Sequence, residues 1–168
     1  ARIYPSGTVP ASGGAPTAEL PQPPADTLFR SSADYSDDGL DDLAVLLRSP
    51  DGGLRIEVAL ASAGGTLAPP VTWWQGVPGD LGWSDGIPLR FLSADVNGDG
   101  NADALLLVGS GDPLLPVTMW WLRGTGAALE APSPWWMGAV DVDGVTLIAA
   151  DLDADAHSDV VFQEDLAR

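Results

Sequence analysis

Residues 93–109 read SADVNGDGNADALLLVG, a run of alternating acids and amides that turns abruptly into four apolar residues, Leu105 to Val108. Calcium is held by six to eight hard oxygens. Oxygens at positions one, three, five, seven and nine of a tight loop can converge on one such ion. In this stretch they belong to Asp95, Asn97, Asp99, the carbonyl of Asn101, and Asp103. Gly100 at position six lets the chain take a positive φ and turn around the ion. An EF-hand shares the first half of this pattern but requires a bidentate Glu at position twelve. Position twelve here is Leu106, inside the apolar run, so the loop closes at Asp103 and passes straight into a strand.

The same loop occurs three times: DYSDDGLDD from Asp34 to Asp42, DVNGDGNAD from Asp95 to Asp103, and DLDADAHSD from Asp151 to Asp159. Position twelve is Val45 in the first and Phe162 in the third, so the EF-hand reading fails in every copy. The first aspartates are 61 and 56 residues apart, too far for the contiguous nonapeptide calcium solenoid. Each loop follows a short apolar or mixed segment and precedes another, and turn signals such as SPDGG at 49–53 and GSGDP at 109–113 mark further strands. A full unit thus reads strand, acidic loop, strand, turn, strand, turn, strand. Four short strands per unit of this length predict an all-β chain of antiparallel β-propeller-type blades.

The third unit stops soon after its second strand, which makes about two and a half blades: repeats at 27–87, 88–144 and 145–168. Closed propellers need at least four blades. A partial one would leave open edges and an apolar face, so the working unit is expected to include other chains or further copies. Residues 1–26 are rich in Pro, Ala and Gly; residues 5–26 hold six of the 15 prolines and read as an extended arm or linker. Adjacent strand residues face opposite ways. The pairs Trp73–Trp74, Trp120–Trp121 and Trp135–Trp136 are therefore expected to pack between blades, with an aromatic platform for a sugar or a Pro-rich ligand as the alternative. Trp83, in a turn-rich stretch, is the ring expected to be exposed.

A net charge of −17 argues against nucleic acid or anionic membrane as partner and suits a protein holding multivalent cations. Twelve of the 24 acidic residues lie in the three loops, and three calcium ions would bring the formal charge to −11. Cysteine is absent, no run reaches the ~20 apolar residues of a bilayer span, and no signal peptide is visible in this numbering. The sequence contains no nucleophile elbow, P-loop or histidine zinc motif, and nothing pairs Glu57, Asp80, Asp85 or Glu130 for glycoside chemistry. The expectation is a non-enzyme.

The pattern D-x-[DN]-x-D-G-x-x-D before an apolar strand, repeated at this interval over roughly residues 27–166, resembles the FG-GAP/VCBS repeats of integrin α-chain propellers and many bacterial extracellular proteins. The resemblance implies that each loop links the first two strands of a blade and binds Ca2+. Carried over to the first loop, it implies ligation by Asp34, Ser36, Asp38, the Leu40 carbonyl and Asp42, with Asp37 and Asp41 facing solvent. In the third it implies Asp151, Asp153, Asp155, the His157 carbonyl and Asp159, where Ala156 replaces the glycine. It further implies a secreted, cell-surface or periplasmic module in a larger assembly, meeting protein or glycan. A non-catalytic propeller segment of a secreted multidomain or multichain enzyme is the alternative.

Overall fold

The computed structural model describes residues 24–110, 112 and 115–164, together with the backbone of two short strands, β1 (Arg2–Ile3) and β2 (Ala18–Glu19), which pair antiparallel. Most of the Pro-rich arm expected at 1–26 lies outside the described residues.

The strand that decides the architecture is β8 (Asp103–Val108), buried at all six positions. Because side chains alternate across a strand, Ala104, Leu106 and Val108 join one core cluster while Leu105 and Leu107 join another. A strand apolar on both faces must be sandwiched. On one side stands the four-stranded sheet of β3 (Thr27–Ala33), β4 (Asp42–Arg48), β5 (Leu54–Ala59) and β6 (Val71–Gln75), paired in chain order. β8 itself sits in a second sheet of the same kind, with β7 (Leu89–Ala94), β9 (Val117–Leu122) and β10 (Ser133–Gly138). On its other side stands a hairpin of β11 (Val145–Ala150) and β12 (Asp159–Glu164). Every pairing is antiparallel between consecutive strands. A single 3-10 turn at Asp80–Gly82 is the one departure from all-β structure among the described residues. These are two full blades and the inner half of a third.

The first strands of the blades lie side by side, β3 against β7 and β7 against β11. Polar contacts fix their order. The Ser93 amide donates to Ser31 Oγ at 3.0 Å, and Tyr35 and Ser93 share a 2.6 Å hydroxyl–hydroxyl bond inside the core. Arg90 donates from Nε to the Val145 carbonyl and from Nη2 to that of Asp143, at 3.2 and 2.8 Å.

The tryptophans divide by how complete their neighbouring blade is. Trp73 bulges out of the β5–β6 ladder, is buried, and receives the Leu129 amide on its carbonyl. Trp135 bulges at the equivalent place in the β9–β10 ladder, yet it is 44% exposed. The outer part of blade two covers Trp73, whereas among the described residues no outer strands of blade three cover Trp135. Trp136 and Met137 are exposed as well, although the Trp136 ring still touches Phe162 at 4.9 Å. Packing between blades therefore accounts for Trp73, Trp74, Trp120 and Trp121 but not for Trp135–Trp136. Trp83 also departs from expectation. It is buried in the first cluster, with its indole N–H donated to the Ile87 carbonyl at 3.2 Å, because the turn folds back over the blade junction.

Truncating Leu106, fully buried between blades one and two, removes a core side chain with little scope for collapse. Leu106→Ala should cost about 2–5 kcal/mol in urea unfolding, while Ile148→Ala on the open third blade, 41% exposed, should cost less than about 1 kcal/mol.

Candidate metal centre

Three loops, each joining the first strand of a blade to its second, share one hydrogen-bond plan. The aspartate at position one turns back to collect amides from its own loop. Asp34 Oδ1 accepts from Ser36 and Asp38 at 3.2 Å each, and its Oδ2 from Gly39 at 2.7 Å. Asp95 Oδ1 accepts from Gly98 at 2.8 Å and Asp99 at 3.3 Å, with Gly100 at 2.9 Å on Oδ2. Asp151 repeats the pattern with Ala154, Asp155 and Ala156 at 2.7, 3.2 and 3.1 Å. The position-five carboxylate takes the position-seven amide in all three: Leu40 to Asp38, Asn101 to Asp99 and His157 to Asp155, at 2.9, 3.0 and 2.9 Å. Such bonds to ionised acceptors are the strong ones, and they curl each loop back on its first aspartate.

Position nine has a second role that the pattern did not reveal. Asp42 and Asp103 are buried, 1% and 0% exposed. Asp42 Oδ2 accepts the Tyr35 amide at 3.0 Å and its Oδ1 the Ala61 amide at 2.7 Å, just past β5. Asp103 does the same with Val96 at 3.2 Å and Gly124, just past β9, at 2.7 Å. The carboxylate thus ties the start of its loop to the far end of the third strand. Asp159 accepts only the first of these bonds, from Leu152 at 3.0 Å, since blade three offers no third strand among the described residues.

The donor set is made of hard oxygens, and each loop carries its own sign of fitting a hard dication. In the first, the Ser36 hydroxyl at position three is buried without a hydrogen-bond partner, an orphan that a ligand bond would satisfy. In the second, burial raises the Asp103 carboxyl to about 6; the Gly124 and Val96 amides only partly offset this, and Asp99 adds repulsion. Burial likewise pushes Asp42 upward. In the third, carboxylate oxygens of Asp151, Asp153 and Asp159 all lie within 4.8 Å of one another. Among the described residues the acids of the other loops, Asp34, Asp38 and Asp42 or Asp95, Asp99 and Asp103, are not drawn together in this way, and position three there is Ser36 or Asn97. Position five stands apart in the second loop. Arg123 binds Asp99 Oδ2 through Nε and Nη2 at 3.2 and 2.9 Å. Burial alone would raise the Asp99 carboxyl, but Arg123 and the flanking amides bring it below its usual value.

The loops differ in backbone strain. Position six is left-handed in each, at φ 81, 91 and 70° for Gly39, Gly100 and Ala156. Position four is left-handed too, at Asp37, Gly98 and Ala154, a requirement for which Gly98 was the visible signal. The second loop therefore has glycine at both strained positions, the first at one and the third at neither. Asp37 is exposed as expected, but it also leans over Gly100 of the next loop.

Residues 95–162 match the family model described as an FG-GAP-like repeat, a span that contains the second and third loops and the strands between them. A search of curated proteins finds no match to the chain.

Two outcomes follow. A left-handed alanine costs roughly 1–2 kcal/mol, so Ala154→Gly and Ala156→Gly should each stabilise the third loop by up to about 1 kcal/mol, read as slower amide exchange at His157 and Ser158. The buried carboxyls give the second. Asp103 binds its proton more tightly folded than unfolded, so its contribution to stability is fully present below about pH 4 and is lost as pH rises through about 6. Melting in excess chelator should show that decline. A dication, which needs the ionised carboxylate, should restore less stability below pH 6 than at pH 7.

Proposed function

We propose that this chain, whose residues 95–162 carry an FG-GAP-like repeat, is a calcium-stabilised, non-catalytic propeller segment that works outside the cytoplasm as a rigid part of a larger assembly. The FG-GAP-like match and the two four-stranded blades make it a β-propeller-type module; the ion, the compartment and the partners are our reading. The observation that carries the ion is the orphaned Ser36 hydroxyl, at the third ligand position of a loop whose plan recurs twice more. Asp34, Ser36, Asp38 and Asp42 with the Leu40 carbonyl would hold the first ion. The second falls to Asp95, Asn97, Asp99 and Asp103 with the Asn101 carbonyl. Asp151, Asp153, Asp155 and Asp159 with the His157 carbonyl would hold the third. Bound calcium would supply a +2 charge and several oxygen bonds, at affinities that extracellular concentrations can fill.

The chain's own residues do the rest. The position-one carboxylate gathers the loop amides, and the position-nine carboxylate anchors the loop to the blade. Ten mutually ordered strands then present their turns as a fixed surface. Partners are other protein chains or further copies, with glycan a further class of contact. The high negative charge disfavours nucleic acid. Among the described residues no helix is long and apolar enough to cross a membrane.

Thermal melting with calcium and with excess chelator tests this reading. At a free concentration of about 100 Kd, each occupied site adds about 2.7 kcal/mol, or roughly 5–10 °C in Tm for a chain of this size. An identical melting curve in both conditions would overturn the calcium assignment.

A further inference from the structure

We propose that the three loops bind calcium as a coupled row in which the second loop is the hub. The proposal rests on the calcium reading above and adds to it how the sites communicate. The coupling element is a backbone hydrogen bond found at both blade junctions. The position-eight amide of the second loop, Ala102, donates to the position-one carbonyl of the first, Asp34, at 2.7 Å. The position-eight amide of the third, Ser158, donates to the position-one carbonyl of the second, Asp95, also at 2.7 Å. Each bond therefore joins a ligand residue of one site to the residue just before Asp103 or Asp159 of the next. A position-one aspartate offers its carboxylate to its own ion and its carbonyl to the neighbouring loop. Fixing one fixes the other.

Side chains reinforce the same contacts. Asp37 of the first loop lies against Gly100, where an added Cβ would meet its carboxylate at 2.8 Å. His157 of the third loop lies over Gly98, and a Cβ there would overlap its ring. The two left-handed positions of the second loop are thus covered, one from each side. Ordering an outer loop restrains the hub at its two left-handed glycines, where its backbone has most freedom to lose. The first ion then meets part of the ordering cost of the second, which gives positive coupling without any change of fold. Coupling of this kind is reciprocal and typically amounts to 5–150-fold in affinity.

The test uses the full chain, calcium alone as the probe, and paired isosteric variants. Asp151→Asn with Asp153→Asn disables the third site; Asp34→Asn with Asp38→Asn disables the first and serves if the former fails to fold. By titration calorimetry, either pair should weaken calcium binding at the remaining sites at least fivefold. In the Asp151/Asp153 variant, calcium should still slow exchange of the Ser158 amide, although that loop no longer binds it. Affinities unchanged within twofold, affinities that rise because neighbouring ions repel, or a Ser158 amide indifferent to calcium would each overturn the coupling while leaving the sites intact. No calcium heat in the unmodified chain would overturn the calcium reading and the coupling with it.

Discussion

The buried aspartate at position nine is the constraint on which the two full blades depend. Asp42 and Asp103 each hold two backbone amides from opposite ends of a blade, one opening the loop and one leaving the third strand. A carboxylate shut away from water is costly unless its acceptors are filled and its charge is met. One amide reaches each oxygen, which leaves further lone pairs on both. The charge is met only in part, since the Asp103 carboxyl is still raised to about 6. That unmet charge links fold and site: the blade needs a buried anion for its geometry, and the anion needs a cation for its energy. On the calcium reading, the further acids clustered around it would recruit the ion and be offset by it.

The same residue sets the direction of the sequence. Immediately after the anchor the chain enters the strand buried on both faces, so polar and apolar demands meet between Asp103 and Ala104. Strand order follows from this junction. With one end of β8 held at the loop, Leu106 and Val108 face blade one while Leu105 and Leu107 face the third hairpin. The blade axis is thus fixed electrostatically at one end and by apolar packing along its length.

Much of this was legible in the residues. Three loops 61 and 56 residues apart with an apolar position twelve announced blades instead of EF-hands, and the breaks after β4, β5, β8 and β9 fall at the turn signals. The loop plan was legible at positions one and six, because a turning glycine and a flanking acid are local signals. What escaped were consequences of neighbours. Nothing near Trp83 in sequence says that its turn folds back onto the blade junction. The likeness of Trp135–Trp136 to Trp73–Trp74 concealed that burial depends on the next blade's outer strands. The anchoring by Asp42 and Asp103 involves amides at Ala61 and Gly124, 19 and 21 residues away. No local pattern could announce these.

The third loop shows how the two ends of the design trade against each other. Among the described residues Asp159 receives no amide from a third strand, and the loop carries alanine at both left-handed positions, where Ala154 and Ala156 sit at φ 63 and 70°. Backbone and scaffold thus support it least. In exchange it has an acid at position three, Asp153, where the other loops have Ser36 and Asn97, and three of its carboxylates converge. Without a cation that convergence adds repulsion to a strained turn; with one it would supply four carboxylates at the ligand positions, against three in either sibling. On the calcium reading, then, reliance on protein geometry would fall from the second loop to the third as reliance on the ion rises. The ion would therefore matter most at the junction where the β11–β12 hairpin meets the four-stranded blade of β7–β10.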